Sequence, residues 1–264
     1  MCWRVLTVKD VIKFLEEKFP PSLAYDWDNV GLQIGDTNRE VKKVMVALDA
    51  TTPVIDEAIS KGVDLIITHH PFIFSPLKSI DLKMPQGKSI QKLIKNDIAI
   101  YTMHTNYDIA PGGMNDVLAE RIGLQDIKTF AMIDDIHGLG RIGKLENAMD
   151  IESFSDNLYD QLDPYIGVIS NVECENIENI ETVAVIGGSG GKHIHDAKAA
   201  GADVLITGDV TYHTAIDAKA IGLTLLDIGH YTEAIIQDAV RDLLNEELGN
   251  ELAVSSEESK NPIW

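Results

Sequence analysis

Six residues of this chain have the types and spacing to hold metal ions: His69, His70, His104, Asp108, His230 and Glu233. Imidazole and carboxylate without thiolate suit zinc, manganese, iron, cobalt or nickel, and the set is too rich in nitrogen for calcium. Six donors exceed what one tetrahedral zinc takes, so two divalent transition-metal ions are the better count. Two ions ~3.5–4 Å apart need a bridging ligand, and carboxylates bridge readily. The assignment gives His70 and Asp108 to one ion and His69 and His230 to the other, with Glu233 shared. His104 is a further ligand or a general acid/base facing substrate, or else a structural histidine at a strand end. An open two-metal site supplies hydroxide at neutral pH, so the reaction class is hydrolysis, at a phosphoester or an electrophilic ring carbon.

The elements that must position these donors are strands. Val63–Ile67, broken only by Asp64, is a β-branched apolar run that reads as an interior strand covered on both faces. It runs through Thr68 into His69-His70 and stops at Pro71, which cannot continue a ladder. The histidines therefore sit at the carboxyl end of a strand, where α/β sheets bind ligands. Extended backbone would point the two side chains to opposite sides, one for each ion. A second strand, Ile98–Met103, ends in His104 with Asp108 after it, and a third, Leu223–Leu226, leads to His230 and Glu233.

The chain repeats itself. Val44 to Val183 and Thr68 to Thr207 are separated by the same 139 positions, so two strands and the helix between them recur in register. The third strands correspond at a different offset, each ending in a histidine followed within a turn by a carboxylate. Generic βαβ units account for the strands; the repeated His–carboxylate ending is harder to dismiss. The expected fold is α/β, two similar halves packed around a paired-metal site: 1–124, a connecting excursion over 125–180, and 181–264. Between them the pattern predicts a helix capped by Thr7, a helix entered at Thr52-Pro53, helices over Ser89–Lys95, Ile151–Leu162, Ile194–Ala200 and Thr214–Ile221, and a last helix from Thr232. The Glu/Ser-rich stretch Ser255–Ser259 reads as an exposed turn.

Composition narrows the partners. A formal charge of −20 on 264 residues argues against nucleic acid as the main partner, because a polyanion needs clustered Lys and Arg. An anionic substrate would need bound cations or a local basic pocket. Only Cys2 and Cys174 are present, too few for a disulfide framework, so a reducing cytoplasm is expected. No apolar run reaches the ~20 residues of a membrane helix, and Met1-Cys2-Trp3-Arg4 opens into a helix pattern rather than a signal peptide.

Other features carry less chemistry. Gly187-Gly188-Ser189-Gly190-Gly191 follows a strand but lacks both the Walker lysine pattern and the dinucleotide spacing, so it reads as a tight turn rather than a phosphate cradle. His193 and His195 are expected in solvent and His137 at the surface. His213, after the second-half counterpart of the His-His strand, is a candidate for lining the pocket. Asp28 is a turn residue or a substrate contact. No aromatic pair is assignable to a base.

Trp27-Asp28-Asn29-Val30-Gly31-Leu32-Gln33, Thr68-His69-His70-Pro71, His104-Thr105-Asn106-Tyr107-Asp108, Thr207-Gly208-Asp209 and Gly229-His230-Tyr231-Thr232-Glu233 together resemble, in order, the Nif-three-like family of dinuclear-metal-centre proteins, whose members are often called GTP cyclohydrolase type 2 homologues. The resemblance implies two related α/β halves around a paired-metal site, assembled as a toroidal homohexamer with the sites facing an inner cavity. It implies His69, His70, Asp108, His230 and Glu233 as ligands, and points more weakly to His104, Asp28 and His213. The excursion is too short for the extra domain some members carry, so this is the compact form. In some members the glutamate stands one residue further from its histidine than Glu233 does from His230. Two functions compete: a metal-dependent hydrolase of a nucleotide-like or phosphorylated small molecule, and a non-catalytic metal-handling or regulatory interaction protein.

Overall fold

Short β-branched runs alternate with capped, apolar-striped helices, and the computed structural model sorts them into two α/β units. It describes residues 5–162, 165–166, 170–172, 179–249 and 251–262. Met1–Arg4 and both cysteines lie outside these residues, so the expectations attached to them are not addressed.

The first unit comprises residues 5–110 and 236–260. Its first segment holds α1 (Val8–Lys18), β1 (Gly31–Ile34), β2 (Val44–Ala47), α2 (Thr52–Lys61), β3 (Leu65–Thr68), α3 (Pro85–Lys95), β4 (Ala99–Thr102) and α4 (Thr105–Ile109). Thr7 caps α1 in a full capping box with Asp10, satisfying amide donors that the first helical turn leaves open. Thr51 caps α2, and Gly62 ends it in the left-handed conformation that a Cβ would disfavour. Strands β2, β3 and β4 are parallel and fully buried, which is why their sequences are apolar throughout rather than alternating. Val54, Ile55 and Ala58 of α2 and Leu93 of α3 pack on Met45, Ile66 and Ile100 of the sheet.

The second unit, Pro111–Ile235, holds α5 (Met114–Arg121), β5 (Gln125–Met132), β6 (Gly138–Met149), α6 (Ile151–Leu162), β7 (Ser170–Val172), β8 (Ile180–Val185), α7 (Ile194–Ala199), β9 (Val204–Thr207), α8 (Tyr212–Ile221) and β10 (Thr224–Asp227). A 3₁₀ segment, His230–Ile235, occupies the place where the last helix was expected to start. The α-helix itself is α9 (Ile236–Leu248), which returns with β11 (Ala253–Ser255) to the first unit.

The internal repeat holds at the level of individual hydrogen bonds. Val44 pairs with Leu65 across β2 and β3, and Val183 pairs with Val204 across β8 and β9, both pairs being 139 positions apart. Asp64 Oδ2 accepts from the amides of Lys42 and Lys43, and Asp203 Oδ2 accepts from those of Glu181 and Thr182. The strand orders run in parallel too: β1-β4-β3-β2-β11 in one sheet and β7-β10-β9-β8-β6-β5, the reverse listing of the other, with an antiparallel edge strand beside each third strand. Each unit is thus the same right-to-left sequence of strands, differing in what extends its far side. Stretch 125–180 provides that extension in the second unit: the long β5–β6 hairpin joins the sheet through β8.

One expectation is corrected. The first residue of the Glu/Ser-rich stretch departs from an exposed turn: Ser255 ends the strand Ala253–Ser255, paired in parallel with β2, and Glu257 and Glu258 follow in an exposed bend. Downstream, Glu57 on α2 receives hydrogen bonds from Ser256 Oγ, from the amides of Glu257 and Glu258, and from Lys61. Burial pushes this carboxyl up, but those donors outweigh it and hold it below its ordinary value of 4.5. A carboxylate depressed in the folded state stabilises fully above its unfolded pKa and loses that contribution as pH falls through the folded one. Glu57→Gln should therefore cost about 1–3 kcal/mol near neutrality and accelerate amide exchange in β11. The deficit should shrink as the medium is acidified below pH 4.5; an equal deficit at every pH would contradict the assignment.

Candidate metal centre

Every donor proposed from sequence lies at or just beyond the carboxyl end of a parallel strand, the edge at which α/β sheets bind ligands. In the first unit β3 ends at Thr68, and His69 and His70 follow in a bend. Both of their amides donate to Leu48 O, at 3.2 and 3.0 Å. The backbone has left the extended form, so the two rings do not diverge as strand geometry predicts. Their centroids are 5.2 Å apart, and His104 stands 5.1 Å from His69 and 5.7 Å from His70. One ligand atom from each of the three histidines falls within 4.8 Å of the others.

Buried polar contacts fix this bend. Thr68 Oγ1 and Thr102 Oγ1 share a hydrogen bond of 2.9 Å with no exposure, pinning the ends of β3 and β4. Asn106, fully buried, donates to Phe19 O and accepts from the His104 amide, which sets the entry into α4. That short helix carries Asp108, whose Oδ1 comes within 3.5 Å of His69 Nε2. Asp108 is thus drawn up to His69 rather than to His70, with which the sequence assignment grouped it.

Each histidine is held by its Nδ1. The acceptor is Met103 O for His69, Asp49 Oδ1 for His70 and Asp28 Oδ1 for His104, all at 2.9 Å. An acceptor at Nδ1 places the proton there and leaves the Nε2 lone pair for a cation, the arrangement that metal-ligating histidines adopt. Asp28 has no exposed side-chain surface, and its second oxygen accepts from the amide and hydroxyl of Thr105. Burial pushes its pKa up, but the bonds from His104 and Thr105 prevail and bring it to about 2. Asp28 thus holds His104 by its Nδ1. The phenol of Tyr25 is raised, first by burial and then by the charge of Asp108.

The second unit repeats the device. His230 Nδ1 lies 2.7 Å from Asp209 Oδ2, and His230 Nε2 lies 3.1 Å from Glu233 Oε2. Asp209 sits at a φ of 54°, a left-handed conformation that aspartate tolerates better than most residues. Glu233 is buried, and the glycine-rich turn makes room for it: a Cβ on Gly188, itself at φ +57°, would stand 2.5 Å from Glu233 Oε1. The turn's amides at Gly187 and Gly190 are taken by Asn115 Oδ1 and Thr207 Oγ1. The turn thus seats a carboxylate, and as the sequence indicated it is a tight turn.

The remaining histidines lie elsewhere. His213 is exposed on α8 against Tyr212, and His195 is exposed on α7. His137 bonds Asp134 at the surface. His193 is not in open solvent as expected, because Nδ1 is bound to Asp196 and Nε2 is buried. Sequence reasoning missed the anchors Asp49, Asn106 and Asn115. Asp209 stood within a quoted motif without a role, and the loop after β2, equivalent to the other ligand-edge loops, was the available signal for Asp49.

The donor chemistry fits a first-row divalent cation: imidazoles each held at Nδ1 by an acceptor, with carboxylates close by. Asp49 and Asp209 are half-exposed, so their loss should spare the fold. Asp49→Ala and Asp209→Ala should each weaken divalent-metal affinity about 10–100-fold in chelator competition, with melting of the metal-free protein unchanged in the first and lowered in the second only by the about 1–2 kcal/mol that a left-handed alanine costs. Unchanged metal affinity would contradict the anchoring role.

The two matched α/β units and their histidine–carboxylate groups define a protein of duplicated α/β architecture with side chains that could hold a metal ion. The chain belongs to the Duf34/NIF3 (NGG1p interacting factor 3) family, whose model matches residues 6–262. It is 36% identical to the GTP cyclohydrolase 1 type 2 homolog of Clostridium perfringens over 98% of this chain and 99% of that protein. It is 38% identical to the homolog of the same name from Streptococcus pneumoniae, over 91% of each. The crystal structure of a Bacillus cereus protein related to NIF3 superposes with a TM-score of 0.90 at 29% identity, covering 99% of both chains. Among the described residues, no helix is long and apolar enough to cross a membrane.

Proposed function

We propose that this protein is a hydrolase that uses a pair of divalent transition-metal ions on a nucleotide-like or phosphorylated small molecule. The observation that carries the reading is that four histidines, His69, His70, His104 and His230, are each anchored through Nδ1, three by carboxylates and one by a carbonyl. In this reading His69 and Asp108 would hold one ion, His70 and His230 the other, and Glu233 would be available to either. The partition exchanges His69 and His70 relative to the sequence assignment, because Asp108 lies beside His69. Bound cations supply Lewis-acid polarisation, activate water and offset the −20 charge that would repel an anion.

The chain's own residues do the rest. Asp28, ionised, keeps the proton on His104 Nδ1 and aims Nε2, so His104 can take up and return a proton during turnover. His213 has no part in this scheme. The name carried by the relatives, GTP cyclohydrolase 1 type 2 homolog, is consistent with a nucleotide as substrate. A toroidal homohexamer in the cytoplasm belongs to the same reading, and a native mass of six chains tests it.

The experiment is a turnover screen of nucleotides and phosphoesters. Activity should vanish on chelation, return with manganese or zinc, and fall in His104→Ala without loss of metal. A metal-replete protein inert across the panel would overturn the reading in favour of a metal-handling or regulatory protein, for which rapidly exchangeable metal is the signature.

A further inference from the structure

Beside the three-histidine group the first unit carries a cluster of aromatic rings that the metal chemistry does not use. Trp27 and Phe74 are each 56% exposed. Tyr25 stacks against Trp27 with centroids 5.7 Å apart and planes 16° from parallel. Phe74 lies 6.1 Å from Trp27 at a tilt of 48°, and His104 lies 6.1 Å from it at 76°, edge to face. Large rings left in water beside a polar site are the informative exception to apolar burial.

These rings are not carried on a loose loop. Tyr25 N donates to Thr105 Oγ1, and Asp28 N donates to Tyr25 O. The Asp28 side chain is buried against His104 and Thr105. On the Phe74 side, Asn29 Nδ2 donates to Ile73 O, and Gln33 Oε1 accepts from Ile73 N. Gln86 Nε2 donates to Phe72 O. The segment bearing Trp27 and the one bearing Phe74 are thus bonded to each other and to the loop bearing His104. The result is an exposed Trp27 ring backed by Tyr25 and flanked by a tilted Phe74, fixed in place before any ligand arrives, and such preorganisation limits the ordering cost of binding.

We infer that Trp27, backed by Tyr25 and bordered by Phe74, is the stacking platform for a planar heteroaromatic ring of the substrate, with the ring's polar substituent directed toward the histidines. Stacking suits this surface because a base has a π-face whatever its edge carries, and because an apolar ring needs no positive charge from a protein of net charge −20. The proximity of Trp27 to His104 makes the platform continuous with the polar groups, which favours one ligand spanning both. The inference rests on the metal-hydrolase reading only for the direction of the polar substituent.

Isothermal titration of wild type, Trp27→Ala and Trp27→Phe tests it with three probes: guanosine 5′-monophosphate, guanosine and ribose 5-phosphate. Wild type should bind the nucleotide about tenfold or more tightly over ribose 5-phosphate. Trp27→Ala should lose about tenfold or more for both guanosine-containing probes and nothing for ribose 5-phosphate, with Trp27→Phe recovering much of the loss. Guanosine binding to chelated protein reports the platform alone; its persistence, with the metal-loaded protein binding guanosine 5′-monophosphate no more tightly than guanosine, would count against the metal reading and leave the platform standing. Equal affinity of wild type for nucleotide and ribose 5-phosphate would overturn the inference. So would an equal loss for all three probes, or a change in native mass in Trp27→Ala with ring affinity intact, which would mark the rings as a contact between copies. Tryptophan quenching by guanosine should disappear in Trp27→Phe, although Trp3 and Trp264 remain; quenching that survives would also overturn it.

Discussion

His69→Ala should leave the protein without tightly held divalent metal. The side chain has no exposed surface, its Nδ1 is fixed by Met103 O, and its Nε2 stands 3.5 Å from Asp108 Oδ1. Removing a partner one step outside the ligands costs about 10–100-fold in affinity, so removing this donor should cost more. The variant also leaves a space in the bend after β3, and a loss of about 1–3 kcal/mol in the metal-free protein is expected from the abandoned Met103 carbonyl. The two effects separate by measurement. Melting of wild type should rise with added manganese, because a ligand bound only to the folded state stabilises it, and melting of the variant should not respond. A variant that melts lower yet retains the full metal-dependent rise would show that His69 is structural.

Gly188→Ala should disturb Glu233 more than it disturbs the fold. The left-handed backbone alone costs an alanine about 1–2 kcal/mol. The added Cβ would meet Glu233 Oε1 at 2.5 Å and Cδ at 3.0 Å. Backbone cannot easily yield there, since Gly188 O accepts from both Gly208 N and Thr207 Oγ1. The movable partner is the carboxylate, which would be pushed off His230 Nε2. Metal affinity should fall by at least the about 10–100-fold that a misplaced outer partner costs, since Glu233 is itself a proposed ligand, while melting drops only modestly. A variant with full metal affinity would mean that Glu233 is not positioned through this glycine.

How much of this was legible beforehand depends on the range of the interactions. The runs at β2, β3, β8 and β9 identify themselves, because strands buried on both faces must be apolar at every position, and their 139-residue repeat predicts the register found. Thr7, Thr51 and Gly62 declare helix ends locally. Ala253–Ser255 does not declare itself: three ordinary residues become a strand only by pairing with β2, some two hundred positions earlier. His69 and His70 were found by type, but their disposition was misread, because both amides turn to the same carbonyl, Leu48 O. Asp49 and Asp28 look like any turn aspartates until the histidine each one holds is placed beside it. The Trp27–Phe74 neighbourhood is invisible for the same reason, being a contact between segments far apart in sequence.

The proposed hydrolase needs two cations held as a pair. Electron paramagnetic resonance of the manganese-loaded protein, titrated to saturation, addresses it most directly. The account predicts two ions per chain with the spectrum of a spin-coupled pair, as expected for ions ~3.5–4 Å apart, and loss of that coupling in Glu233→Ala. Saturation at one ion per chain with the six-line spectrum of isolated manganese would contradict it.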